Sequence, residues 1–289
     1  MRKITVNTVQ GIGDLMWVYR KLSPLFERIN FDVLIIKNDS VQTRAREFLG
    51  TLDRVGDVNF KIVTPEVYGR VARGMYRVDD IHGEYSVNAW LERGVHLDAI
   101  DGLPVAWDIN LKREAVDVQG PYLLLYVSGC SHNVKFYQMR SADWAMLAIR
   151  TARALGLEQC ILVGAAYDRA KLLEVKARMG GRLRTQVMAD VNIKQTTSLI
   201  AGANYFIAYQ SGLCMIAEEV GTPTLMVYYP ENAALTTAWI RRENLIQGLF
   251  KNAFFGMPLV TMNELVRQHV AHLKANPIVR EQRAVAQNV

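Results

Sequence analysis

Short apolar or β-branched segments alternate with helix-length amphipathic ones through most of the chain, and this alternation restricts the fold more than any other feature. Residues 3–7, 33–36 and 60–63 have strand character, with helical patterns over 15–29 and over 41–49 after Ser40. Residues 68–94 mix aromatic, basic and acidic side chains and are expected to form short helices and loops. The segment 117–121 breaks the pattern, and a second series follows it. That series has strands at 122–127, 160–163, 205–208 and 224–228, with helices at 142–155, 168–179, up to 203, and 212–220. Strands this short and this apolar are buried on both faces, which is the habit of βαβ units in a parallel sheet. Right-handed crossovers follow. The expectation is an α/β chain of two Rossmann-like domains, 1–117 and 118–275, the second ending in a helix over 263–273. A polar tail, 276–289, follows them. In such sheets ligands bind beyond the carboxyl ends of the strands, so two facing domains would enclose a cleft.

Composition removes several classes of function. Half of the 289 residues are apolar, enough for two cores. The densest apolar run, 122–127, is far too short to span a bilayer, and no apolar stretch follows Met1-Arg2-Lys3. A soluble, cytoplasmic protein without a transmembrane segment is expected. Cys130, Cys160 and Cys214 are widely spaced and odd in number, which suits a reducing compartment and gives no zinc motif. Asp79-Asp80 and the pair Asp98 and Asp101 have no histidine partners, so no metal site is expected. Residues 1–117 carry 16 Lys+Arg against 17 Asp+Glu, whereas the rest carry 18 against 11, so the net charge of +6 lies in the second half. A basic half attracts phosphorylated ligands, nucleic acid or an anionic membrane surface.

Three strand–loop–helix junctions could carry chemistry. Gly11-Ile12-Gly13-Asp14 follows the first strand and opens the first helix. Glycines there let a ligand approach bare backbone, and Asp14 can cap the helix or aim a base at a substrate. Ser128-Gly129-Cys130-Ser131-His132-Asn133-Val134-Lys135 follows strand 122–127, with hydroxyls and one lysine suited to a diphosphate or to simple solvation. Gln210-Ser211-Gly212-Leu213 joins strand 205–208 to a helix whose free first-turn amides can hold an anion, unless Ser211 only caps it. Gly164 ends another strand, and Asp168 after it has the position of a helix cap. There is no HExxH, P-loop, GxSxG or complete dinucleotide fingerprint. Asp32 lies near the acidic position that could meet a ribose but falls at the expected start of the second strand rather than its end, which argues against a dinucleotide.

In order and spacing these junctions resemble the ADP-heptose:lipopolysaccharide heptosyltransferase family, glycosyltransferase family 9, over residues 3–260. The most specific stretch runs from Ser198 through Phe206, Ser211-Gly212-Leu213 and Gly221-Thr222-Pro223-Thr224. The resemblance implies a GT-B fold, with two Rossmann-like domains facing across a cleft. The first would bind the acceptor and the second a nucleotide-diphospho-sugar donor. Transfer would be inverting and would need neither metal nor cofactor. Asp14 would be the general base, and Lys135 with the amides at Ser211, Gly212 and Leu213 would stabilise the leaving diphosphate. Gly11, Gly13, Ser128, Ser131, Gly164 and Gln210 would complete the donor site. The chain departs from the family at Gln210 and Met215, where an acidic residue and a histidine are usual, and at Phe136-Tyr137-Gln138 in place of Trp-Pro. It therefore reads as a divergent member with its sugar and acceptor open. A saccharide or glycolipid acceptor is expected, with peripheral contact to a membrane allowed. The alternatives are a phage-type enzyme acting on hydroxymethylated DNA bases, which the basic balance and Arg70–Arg77 with Tyr68 and Tyr76 permit although no basic block with interleaved aromatics stands out, and a non-catalytic nucleotide-sugar binding protein.

Overall fold

The structure is a computed structural model that describes residues 2–8, 11–23, 29–36, 42–52, 58–63, 86–88, 109–127, 140–209 and 211–227, with 264, 266, 267, 270, 271 and 275. Its internal contacts divide the chain into two compact units. The first holds 1–114 with 192–197 and 211–215, and the second holds 115–191, 198–210 and 216–289.

The first unit is built on a parallel sheet of β1 (Arg2–Thr8), β2 (Ile29–Ile36), β3 (Val58–Val63) and β4 (Ser86–Asn88), in the order β3-β2-β1-β4. β1 pairs in parallel with β2 on one side and β4 on the other. Helix α1 (Ile12–Leu22) follows β1, and α2 (Gln42–Leu49) follows β2. Along α1, Leu15, Met16, Tyr19 and Arg20 recur at helical spacing and all are buried, the arginine included. The expected helix over 15–29 is corrected here. α1 starts earlier, at Ile12, and stops at Leu22, with the Ser23 N–H on the Tyr19 carbonyl. Pro24 has no N–H with which to continue the ladder, and Ile29 already opens β2. Asp32 consequently lies inside β2 and not at its start. β4 is a strand within a stretch expected to be helices and loops. Beyond α2, residues 51–52 receive the chain at 111–112 through the Leu52–Leu111 bridge and a 2.7 Å bond from Lys112 N–H to Thr51 O.

The second unit has a five-stranded parallel sheet, β7-β6-β5-β8-β9. Its strands are β5 (Leu123–Tyr126), β6 (Gln159–Gly164), β7 (Arg184–Ala189), β8 (Tyr205–Tyr209) and β9 (Thr224–Val227). Every residue of β5, β6, β8 and β9 is buried, as expected for a parallel sheet covered on both faces. β7 is the exception, an edge strand of half-exposed character that the apolar pattern of the sequence did not suggest. Helix α3 (Ser141–Leu155) buries Trp144, Leu147, Ala148, Ile149 and Ala152 and ends at Gly156, whose φ of 69° is the left-handed turn that glycine makes without strain. Helices α4 (Arg169–Met179), α5 (Ile193–Gly202) and α6 (Gly212–Glu219) complete the crossovers. Residues 264, 266, 267, 270, 271 and 275 are helical, within and just beyond the expected 263–273. Among the described residues no helix is long and apolar enough to cross a membrane. The expected polar tail, 276–289, lies outside the described residues.

Candidate functional site

In the first sheet β1 is flanked by β2 and β4, so the chain leaves its carboxyl end where the strand order reverses. Such a switch point is where parallel sheets bind ligands. The helix that starts there begins with Gly11 as its N-cap in extended conformation, its carbonyl accepting the Leu15 N–H at 3.0 Å. Gly11, as the N-cap residue, brings no side chain to cap this helix start. Asp14 is the third residue of α1 and so belongs to its first turn, beside the positive end of the helix dipole. A carboxylate there is favoured electrostatically whatever else it does.

The first unit also contains Ser211–Met215, and within it the two glycine junctions meet. A Cβ on Gly212 would lie 2.7 Å from the Ile12 Cβ and 2.8 Å from the Ile12 carbonyl carbon. A Cβ on Gly13 would meet the Gly212 Cα at 3.3 Å and the Met215 sulfur at 3.4 Å. The two glycines are thus matched to each other, because each leaves room for the other's backbone. Ser211 precedes α6 and its carbonyl accepts the Cys214 N–H at 3.0 Å. The amides of Gly212 and Leu213 lie in the first turn, where no intrahelical acceptor exists. Leu213 and Met215 are buried beneath this turn. Burial pushes the Cys214 thiol up to about 12, with the nearby polar groups of Ser211 opposing the rise.

Gly164 and Asp168 belong to the second unit and are coupled differently. The Asp168 carboxylate, buried, accepts the Ala165 N–H at 2.8 Å, and the Asp168 N–H returns to the Ala165 carbonyl at 3.0 Å. A Cβ on Gly164 would stand 2.9 Å from the Asp168 Cβ and 3.1 Å from Leu172 Cδ1, so only glycine fits against this turn. Asp168 stands at the N-cap position of α4 as expected, but its side chain makes no cap bond to that helix and braces the preceding loop instead. Ser128, Ser131, His132, Lys135 and Gln210 lie outside the described residues, as does the aromatic and basic stretch from Tyr68 to Arg77.

Two further groups lie outside the sequence motifs named above. In the first unit Asn192 caps α5, its Oδ1 accepting the Gln195 N–H at 2.8 Å while Gln195 Oε1 accepts the Asn192 N–H at 3.1 Å. Glu114 accepts hydrogen bonds from Asn192 Nδ2 at 2.9 Å and Gln195 Nε2 at 3.1 Å, and Glu47 accepts the Ile193 N–H at 3.2 Å. The reciprocal cap was legible in the Asn-x-x-Gln spacing. Its two glutamates, far away in sequence, were not. In the second unit Trp144 meets Tyr209 edge to face, with centroids 4.7 Å apart, and this pair fixes the end of β8 just before Gln210. Among the described residues there is no group of three or more His, Cys, Asp or Glu side chains able to hold a metal ion.

Comparison with known proteins identifies the family and the fold. The family model described as Glycosyltransferase family 9 (heptosyltransferase) matches residues 102–253. The fold resembles that of an E. coli ADP-heptose lps heptosyltransferase II, with a TM-score of 0.58 at 14% identity, covering 95% of this chain and 100% of that one. It is also similar to E. coli heptosyltransferase WaaC, determined with ADP, with a TM-score of 0.56, 10% identity, and 92% and 99% of the two chains covered. The iron-containing, dodecameric heptosyltransferase TibC of enterotoxigenic E. coli, determined with ADP-D-beta-D-heptose, gives 0.54 at 12% identity over 94% of this chain and 77% of that one. No curated protein matches the sequence. With a family model spanning more than half of its length and two parallel α/β sheets of the GT-B kind, the chain belongs to glycosyltransferase family 9, the heptosyltransferase family, and is a glycosyltransferase.

Proposed function

We propose that the protein transfers a sugar from a nucleotide-diphosphate donor to a hydroxyl of a saccharide or glycolipid acceptor, with inversion and without a metal ion. The observation that carries this reading is Asp14, in the first turn of α1 at the reversal point of the first sheet, in a chain of this family. In this mechanism Asp14 takes the proton of the acceptor hydroxyl while that oxygen attacks the anomeric carbon. The bond to the diphosphate breaks as the new glycosidic bond forms, which gives inversion. Charge that builds on the leaving diphosphate is met by Lys135, the hydroxyls of Ser128 and Ser131, and the amides of Gly212 and Leu213. Protein cations and amides then supply the stabilisation a metal would otherwise give. The donor class is supported by relatives determined with ADP and with ADP-heptose. Residues 1–117 would hold the acceptor and 118–275 the donor, in the cytoplasm where nucleotide-sugars are available.

The test is the Asp14→Asn variant, assayed for transfer or donor hydrolysis and titrated with donor. Loss of a general base should lower kcat by roughly 10²- to 10⁴-fold. Donor affinity should stay within a factor of about two, since the carboxylate acts on the acceptor. A fully active variant would show that the base lies elsewhere. Activity that survives EDTA supports the metal-free reading; activity abolished by EDTA and restored by a divalent ion overturns it.

A further inference from the structure

We propose that β7 is a self-complementary edge through which two copies of this chain join, their second sheets running together into one. This goes beyond the transfer reaction and does not rest on it. The Arg184 N–H donates to the Glu158 carbonyl at 3.0 Å, and the Asp190 N–H to the Gly164 carbonyl at 2.9 Å. Backbone groups alternate sides along a strand, so Arg184, Gln186, Met188 and Asp190 turn theirs toward β6. Thr185, Val187 and Ala189 therefore turn theirs to the outer edge of the sheet. Among the described residues, no hydrogen bond reaches the N–H or C=O of these three. β9, at the other edge of the same sheet, is buried throughout, whereas no residue of β7 is fully buried.

An open edge accepts a further strand, and natural sheets usually block theirs with proline, lysine or a bulge. β7 contains neither proline nor lysine, and its register with β6 runs unbroken from Arg184 to Ala189. The strand it fits is a second β7. In an antiparallel pair, residues whose N–H and C=O groups face the partner lie opposite one another. With Thr185, Val187 and Ala189 as the outward set, the fullest symmetric register sets Val187 opposite Val187 on the two-fold axis and Thr185 opposite Ala189 on either side. Each opposed pair exchanges two hydrogen bonds. The same register sets Gln186 opposite Met188 and Arg184 opposite Asp190, non-hydrogen-bonded pairs whose Cα atoms lie about 4.5 Å apart. Arg184 and Asp190 are both exposed, and they are the only charges from 184 to 190. The backbone alone selects this register, and those charges then fall into two Arg–Asp pairs. Moving the axis to Thr185 or Ala189 would leave fewer opposed pairs and would set Arg184 against Gln186 or Asp190 against Met188. Val187 lies on the face that α4 covers, where Thr185 Oγ1 donates to the Met179 sulfur at 3.2 Å, so the two valines would meet beside the two α4 helices.

Sedimentation equilibrium of the full chain over a series of concentrations tests this. Wild type should show a reversible monomer–dimer equilibrium. Val187→Pro removes an outward N–H, which proline on an edge strand can lack, and so deletes the two hydrogen bonds on the axis while leaving the pairing with β6 in place. It should weaken the dimer by roughly 5- to 150-fold. Arg184→Glu and Asp190→Lys each set like charges opposite one another at both ends of the seam, and each alone should weaken the dimer by about tenfold or more. Mixing these two variants sets the introduced glutamate against the introduced lysine, and the remaining Arg184 against the remaining Asp190. A mixed dimer should therefore form about as tightly as wild type, a recovery that misfolding of either variant cannot produce. Circular dichroism melts follow each fold. Asp190 has a φ of 77°, so its lysine variant is expected to melt lower, and Val187→Pro and Arg184→Glu carry the test without it. A wild-type chain that stays monomeric throughout, or a dimer indifferent to Val187→Pro and Arg184→Glu, would overturn the proposal. So would a mixture of the two folded charge variants that associates no better than either alone.

Discussion

A thiol surrounded by hydrocarbon is held in its neutral form, because burial removes the water that would solvate the thiolate. Cys214, in the first turn of α6, is pushed from its ordinary 9.0 up to about 12 by that desolvation, and Cys160 in β6 is raised further by the same cause. The phenol of Tyr205 is likewise raised well above 10.0 by burial. These cysteines are therefore packing residues, and family 9 chemistry finds no nucleophile in either. With folded values above the unfolded ones, the native state keeps protons that the unfolded chain releases. The stability held by these protons is complete below about pH 9 and is lost as the pH rises through the folded values, from about 9 to beyond 12. The urea midpoint should fall progressively above pH 9, and peptide mapping after iodoacetamide at pH 8 should find Cys160 and Cys214 unmodified until denaturant is added. Rapid alkylation of either in the native protein would contradict the burial that sets these shifts.

Elements were legible where side-chain pattern decides the structure and obscure where backbone alone does. β5, β6, β8 and β9 are continuous apolar runs buried on both faces, so their composition announces them. β7, Arg184-Thr185-Gln186-Val187-Met188-Ala189, has solvent at its free edge and needs no apolar run. The described part of β4, Ser86–Asn88, is three residues long and pairs with β1 through the main chain. The glycine junctions were visible as loops, but the contact of Gly13 with Gly212 spans nearly two hundred positions and leaves no local trace. The start of α5 shows both kinds of information. Its Asn-x-x-Gln cap is local, while Glu114 and Glu47 reach it from distant segments of the first unit. Asn192→Ala removes the acceptor for the Gln195 N–H and one donor to Glu114, and should cost about 1–2 kcal/mol in urea unfolding. Asn192→Ser restores the cap and should recover most of the loss, whereas Glu114→Ala, acting on an exposed contact, should cost under about 1 kcal/mol. Equal stability of wild type and Asn192→Ala would show that the cap is replaced by water at no cost.

The whole molecule carries a charge asymmetry that bears on its partners more than on its fold. Residues 1–117 are almost neutral, with 16 basic and 17 acidic side chains, while the remainder holds 18 against 11. If the second half receives a diphosphate and the first an uncharged or weakly charged hydroxyl acceptor, the balance suits both tasks. A DNA acceptor would need the opposite, a basic field on the acceptor side, since phosphate contacts supply most of the affinity for a duplex. Ionic strength separates the two acceptors. A protein that neutralises six to ten phosphates loses roughly 10³- to 10⁵-fold in affinity between 50 and 200 mM salt, because each contact releases condensed counterions. A compact diphosphate held by one lysine and a few amides responds only through screening, with a Debye length of about 8 Å at 150 mM. Over that interval nucleoside diphosphate affinity should fall by less than about tenfold, and duplex DNA should fail to bind even at 50 mM. DNA binding at low salt with a steep logarithmic slope would move the acceptor from saccharide to nucleic acid. The same transfer chemistry would then need the cationic stretch from Tyr68 to Arg77 to outweigh the near-neutral balance around it.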